Sequence, residues 1–339
     1  MAKKASVRDV ANEAGVSIGS VSRVLNGGTY VSADLESKVM AAVEKLGYHP
    51  DANARNLRTG SSKTIGCLIP DISNALYASY VSAIESRLQE SGYMLLLGST
   101  KGSLVREQEI MHLFESRGMD GIIATPVKET AGEATDVYAQ CRLPLVILDR
   151  DIKIPRDTIA VDHRAGIRKG IDYLFSLGHQ RIVLLTPGAD IRPGRERIAG
   201  YREAYEAAGR TVDADLIKVI NPRLSSSYDD VRALLASKTP PTAIVGLGTQ
   251  ILSAAMRAVY DAGLTIPGDI SVIGIGTPDT VEFAHPQMTM LRFDLEDHGR
   301  TAAELILDRI RLGDDIPCRR ITKPMELVIA GSCAAAKSA

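Results

Sequence analysis

The chain has 339 residues, 45% of them hydrophobic, which exceeds one ordinary domain and suffices for a sizeable buried core. Its formal charge of −1 conceals an asymmetry: residues 1–63 carry nine Lys and Arg against six Asp and Glu, and the remainder 31 against 35, so the amino-terminal end is the one suited to a polyanion. Cys67, Cys141, Cys318 and Cys333 show no zinc or disulfide spacing, no apolar run reaches the ~20 residues of a membrane span, and no leader precedes Ser6, so a cytoplasmic protein without metal, cofactor or membrane partner is expected.

In chain order, residues 6–26, SVRDVANEAGVSIGSVSRVLN, predict two short helices joined by a tight turn. Ser6 is placed to cap the first, with Asp9 as its capping-box partner, and Val7, Val10, Ala11 and Ala14 form an apolar stripe at helical spacing. Gly15 ends that helix, Val16 turns the chain and Ser17 caps the second helix. Val21, Val24 and Leu25 turn inward, leaving Ile18, Gly19, Ser22 and Arg23 on an outer face that fits a DNA major groove. Two core helices of a small bundle would share this pattern. A third helix from Ser32 to Leu46, with Val39, Ala42, Val43 and Leu46 on one face and Gly47 closing it, argues instead for a complete three-helix headpiece.

The segment that follows, PDANARNLRTGSSK at 50–63, begins helix-compatible and ends in a Thr, Gly, Ser linker, so it reads as a hinge. Leu57 has no apolar stripe to join there, although a lone leucine is usually a packing contact. Arg55, Arg58 and Lys63 are phosphate partners rather than base readers.

The runs VRDVANEAGVSIGSVSRVLNG, VS near Val31 and VEKLGYHPDANARNLRTGSSKTIG from Val43 to Gly66 resemble the lactose-repressor and galactose-repressor family of bacterial transcription regulators. The likeness covers nearly the whole chain and is most specific over residues 6–66. It implies a headpiece (1–49) that reads DNA with Ser6, Ser17, Ile18, Gly19, Ser20, Ser22, Arg23, Asn26 and Tyr30. It also implies a hinge (50–63) whose Asn53, Arg55, Leu57 and Arg58 meet the minor groove, Leu57 wedging between base pairs once two subunits pair on DNA.

From Thr64 onward short aliphatic runs alternate with longer amphipathic segments, the pattern of parallel βα units. Strands are expected at 65–69, 94–98, 121–124, 145–148, 181–185, 243–245 and 270–274. Helices are expected at 76–91, 104–117, 164–177, 195–208, 228–236, 251–262 and 295–312. This is too many units for one small sheet, so the fold class is an all-α helix-turn-helix headpiece plus an α/β core of two doubly wound lobes. The resemblance makes those lobes similar to periplasmic sugar-binding proteins. It assigns 64–332 to effector binding and dimerisation, with one lobe at about 64–162 and 292–321, the other at about 163–291 and 322–332, and a tail at 333–339.

Open α/β sheets bind ligands beyond the carboxyl ends of their strands. Asp71, Ser73, Asn74 and Tyr77 follow the first strand, and Asp149 and Arg150 follow LVIL, where Asp accepts from and Arg donates to vicinal hydroxyls while a tyrosine face packs on a sugar ring. A surface ion pair is the alternative for Asp149 and Arg150. Arg197 stands where the family carries a ligand-binding arginine; an ordinary solvated helix arginine is the alternative. Three positions depart from the family pattern: GLGTQ with Gly248 and Thr249 replaces Asn-Asp, GIGTPDT with Gly276 replaces Gly-Phe-Asp-Asp, and Arg292 in MTMLRFD replaces glutamine. With two carboxylates lost and a cation gained, Arg150, Arg197 and Arg292 suit an anionic effector, unless Arg292 ties the lobe crossover to Asp294.

Enzyme signals are weak. Gly15 to Gly19 fits GxSxG but follows no strand, as a nucleophile elbow requires, GLGTQI lacks the third glycine of a dinucleotide fingerprint, and His163, His179, His285 and His298 have no metal-ligand spacing. Residues 64–332 alone would suit a soluble sugar-binding receptor, against which the headpiece and the missing leader both count. The tail AGSCAAAKSA lacks the leucine heptads of a tetramerising helix. The expectation is a homodimeric, effector-controlled repressor of a carbohydrate or sugar-acid operon that binds a palindromic operator and responds to a sugar or sugar acid.

Overall fold

The computed structural model describes residues 5–25, 31–48, 60–129, 133–220, 227–247, 250–276 and 284–337. They fall into two compact units, one ending at Ser62 and the other beginning at Lys63.

In the first unit, α1 (Val7–Ala14), α2 (Ile18–Leu25) and α3 (Ala33–Leu46) enclose Val10, Ala11, Val21, Val39 and Ala42. Helix α1 starts where the Asp9 N–H donates to Ser6 Oγ and the Ser6 N–H donates back to Asp9 Oδ2 at 2.8 Å; it stops where Gly15 takes φ 66°. Ser17 Oγ accepts the Ser20 N–H at 3.1 Å at the head of α2, Ser32 caps α3, and Gly47 ends it at φ 56°.

The second unit contains two six-stranded sheets. The first lobe runs β1 (Thr64–Ile69), α4 (Ala75–Glu90), β2 (Met94–Ser99), α5 (Leu104–Ser116), β3 (Gly121–Ala124), α6 (Glu133–Gln140), β4 (Leu145–Leu148) and β5 (Asp157–Val161). The second runs α7 (His163–Ser176), β6 (Ile182–Thr186), α8 (Arg192–Ala207), β7 (Ile217–Val219), α9 (Ser227–Leu235), β8 (Ala243–Leu247), α10 (Gln250–Asp261), β9 (Ser271–Ile275) and β10 (Thr289–Arg292). Helix α11 (Leu295–Leu312) and β11 (Arg320–Lys323) then rejoin the first lobe and β12 (Glu326–Val328) the second. The sheet orders are β11-β5-β4-β3-β1-β2 and β12-β10-β9-β8-β6-β7, with every pairing parallel except β10 with β12.

Central strands such as GIIA, LVIL and IVLLT are buried throughout because helices cover both faces of a parallel sheet, and they read as unbroken aliphatic runs. The strands outside the expected set, β5, β7, β10, β11 and β12, are short or begin with polar residues, too little pattern for periodicity to act on. Helix α8 starts at Arg192 instead of 195, since Pro193 needs no N–H partner in a first turn and presets the backbone. Arg292 belongs to the second sheet and Lys323 to the first, so the chain passes between lobes at 162, 293–294 and 324–325. These passages set the carboxyl ends of the two sheets against each other.

Candidate DNA-reading helix and interlobe effector site

Helix α2 buries Val21 completely and leaves Ile18 44% exposed, with Gly19 and Arg23 also open. A side chain at Gly19 would touch only Ser17 Oγ, at 3.7 Å, so the fold leaves this position free to vary. Ser6 and Ser17 are exposed but engaged as caps, Ser20 Oγ lies 3.0 Å from Ser17 Oγ, and Ser22 is half-buried. Asn26, Tyr30, Asn53, Arg55, Leu57 and Arg58 lie outside the described residues. Lys63 sits on the Tyr93 ring, 4.3 Å from its centroid.

The interlobe site is built around Asp149, just past the end of β4, at φ 47°. A left-handed backbone is uncommon outside glycine, and Asp is one of the residues that tolerates it. It lets the carboxylate accept the Val161 N–H at 3.2 Å, meet His163 Nε2 at 2.8 Å and meet Arg192 Nη1 at 3.3 Å. His163 heads α7 and Arg192 heads α8, so one carboxylate of the first lobe gathers two helix starts of the second.

Arg197 lies one and a half turns further along α8, 4% exposed, and donates from Nε to His163 Nδ1 at 3.4 Å. Nδ1 accepts only when the ring is neutral and Nε2 carries the proton, which then goes to Asp149. Burial holds His163 below its usual range, and the Arg197 and Arg192 charges reinforce this against the pull of Asp149. Burial acts to raise the Asp149 carboxyl, but the His163 hydrogen bond and the Arg150 and Arg192 charges outweigh it, and the group is ionised far below neutral pH. Burial lowers Arg197 to about 10, still a cation at neutral pH, and its Nη1 has no hydrogen-bond partner among the described residues.

Arg150 is 5% exposed and holds the loop ends together, donating from Nε to Pro126 O at 2.8 Å and from Nη1 to Asp149 O at 2.9 Å. Tyr77 is close enough for the charges of Arg150, Asp149 and Arg197 to act on its hydroxyl. Asp71, Ser73 and Asn74 serve local turns: Asp71 Oδ1 accepts the Ser73 N–H and hydroxyl, and Asn74 Oδ1 caps α4 at Leu76. Gly276 follows β9 at φ 136°, with its N–H on Leu291 O, and Arg292 ends the adjacent β10. Arg292 Nε is buried with no acceptor among the described residues, while Asp294 caps α11 through the Asp297 N–H. Thr249 lies outside the described residues.

Sequence reasoning did not assign His163 or Arg192 to the cleft. The available signal was VDH at 161–163, a helix cap directly after a strand, which stays invisible until β5 is recognised as a strand.

A helical headpiece with an open recognition face, followed by two α/β lobes around a polar cleft, defines a ligand-responsive DNA-binding protein. Residues 6–51 match the family described as bacterial regulatory proteins, lacI family, and residues 171–333 match the periplasmic binding protein-like domain. The chain is 30% identical over 309 residues to the HTH-type transcriptional repressor PurR of Photobacterium profundum, covering 91% of this chain and 92% of that one. It is 30% identical over 312 residues to the ribose operon repressor of Halalkalibacterium halodurans, covering 90% of each. The lac repressor dimer bound to operator and the anti-inducer ONPF superposes with a TM-score of 0.86 at 27% identity, over 98% of this chain and 100% of that one. The chain belongs to the LacI family of bacterial regulatory proteins, and its headpiece is that of a DNA-binding transcription regulator.

Proposed function

We propose that the chain is a homodimeric repressor that binds a palindromic operator and is controlled by an acidic effector, a sugar acid or related carbohydrate anion, held between its lobes. Arg197 carries this reading. A buried guanidinium without a carboxylate partner is costly unless a ligand supplies one, and the orphaned Nε of Arg292 makes the same demand from β10. Arg150 is engaged with main-chain carbonyls, so the clamp on the anion is Arg197 with Arg292, while Tyr77 and Asp149 face the hydroxyl or ring end of the effector. Two solved neighbours are complexes with cellobiose and ribose; what supports an anion rather than a neutral sugar in this chain is the pair of buried arginine nitrogens, Arg197 Nη1 and Arg292 Nε, without an acceptor among the described residues.

The headpiece spans 1–49 and the hinge 50–63 in this reading. Ile18 meets a thymine methyl and Arg23 a guanine edge, and Leu57 is the minor-groove wedge. One headpiece offers too few base-reading side chains for specificity, hence two half-sites and two subunits. Edge strand β2, which leaves Met94 and Leu96 74% and 43% exposed, supports a second copy, because an open apolar edge is an association surface. No catalytic step is assigned, since the GxSxG match lies in the turn into α2 and follows helix α1 where a nucleophile elbow needs a strand.

A thermal-shift screen of sugars, sugar acids and sugar phosphates tests the effector class. An acid is expected to stabilise the protein, and Arg292→Gln to weaken its binding by about 1.5 to 3 kcal/mol, the scale of a charged hydrogen bond. Stabilisation by neutral sugars alone, or full affinity of the variant for an acidic hit, would refute the assignment.

A further inference from the structure

Helix α8 is sixteen residues long, and its N-cap residue, Ile191, offers no side-chain cap. The acceptor comes from the other lobe. Glu129, beyond the end of β3, takes the Arg192 N–H on Oε1 at 2.6 Å and meets Arg195 Nη2 through Oε2 at 2.7 Å, with only 3% of its side chain exposed. A helix N-terminus reinforced by an arginine is an anion site, and here it holds a carboxylate of the protein itself. On the same helix and in the same cleft, the buried Arg197 Nη1 has no partner among the described residues. The α8 N-terminus is therefore an oxyanion site that a side chain of the opposite lobe occupies, and five residues further along the same helix Arg197 brings a buried cation to the cleft around Asp149.

We propose that Glu129 is a tethered anion that competes with the effector: it draws the lobes together across the α8 N-terminus, and an acidic effector held by Arg197 and Arg292 displaces it, as a second anion repelled from one cleft and drawn off the arginines of α8. The inference rests on the acidic-effector reading and adds the residue that gates it. A tethered competitor reduces the fraction of molecules with an open site, so apparent affinity falls by that fraction. A neutral side chain at 129 lifts the competition while Arg192, Arg195 and Arg197 remain.

Calorimetric titration of the full chain with D-gluconate and with sulfate, alongside ribose as the uncharged control, tests this in the wild type, Glu129→Gln and Glu129→Ala. Both substitutions are expected to tighten binding of gluconate at least tenfold and of sulfate in the same direction, and to leave ribose unchanged. Two variants guard against one misfolding, and circular dichroism establishes which are folded. Unchanged or weaker anion binding in the folded variants overturns the proposal and makes Glu129 a plain interlobe cap. If wild type binds gluconate through Arg292 and the variants gain nothing, only this inference falls; if neither wild type nor variants bind either anion, it falls together with the acidic-effector reading.

Discussion

At the scale of single residues, Asp149 organises the cleft. Its backbone conformation is one that asparagine adopts as readily, so Asp149→Asn preserves the turn while removing the charge that faces Arg192 and accepts from His163. Each side chain of the Asp149–Arg192 pair is a little under one-fifth exposed, so neutralising one member costs less than in a fully buried pair, and the expected loss is about 2 kcal/mol, read from the urea midpoint. A loss under about 1 kcal/mol would place the pair among solvated ion pairs. The Asp149 and Arg197 positions were legible from the residues that follow strands and from the family pattern. His163 was not, because its role depends on a ring nitrogen facing each of two side chains that lie 14 and 34 residues away.

At the scale of elements, the first turn of α8 meets the loop after β6 at Gly194. A Cβ there would overlap the carbonyl oxygens of Gly188 and Pro187, which are backbone and cannot swing aside. Helix propensity alone favours Gly194→Ala by about 1 kcal/mol, whereas overpacking costs about 1 to 3 kcal/mol, so the substitution is expected to lower Tm. A rise in Tm would mean that the loop yields. The same comparison explains which elements could be read in advance. Headpiece helices carry their own caps within three residues, so Ser6 with Asp9 and Ser32 with Gly47 declare their ends locally. Strands β11 and β12, RITK and ELV, exist only because a partner strand lies alongside, and nothing within three or four residues announces that.

At the scale of the whole molecule, three buried histidines give stability a definite pH dependence. Burial holds His163, His179 and His298 each below the usual range; His179 lies between Thr242 and Ser271, and His298 reaches the Ala160 carbonyl. Below the unfolded value of roughly 6.5, the unfolded chain binds more protons than the folded one, so stability is lost as pH falls. Each group contributes up to about 1.4 kcal/mol per pH unit until its folded pKa is reached. Asp149 does not oppose this, because its contribution is lost only below the ordinary carboxylate range. Urea midpoints are expected to be level above pH 7 and to drop between pH 6.5 and 5; a flat profile through that interval would mean that the rings protonate without penalty.

Caps, turn glycines, apolar periodicity and the basic amino-terminal end are local properties, and with them the sequence by itself determined the headpiece, its outward face and the alternation that makes a two-lobed α/β core. The family pattern added Arg197 and the departure at Arg292. Only the tertiary structure decided what those cations meet. Arg150 turned out to be tied to Pro126 and Asp149 carbonyls, Arg197 to stand on a neutral imidazole, and Glu129 to cap a helix of the opposite lobe. Charge pairing of this kind depends on distances of a few ångströms between segments that the chain separates by tens of residues, and it is set by three lobe crossings whose geometry no local pattern encodes.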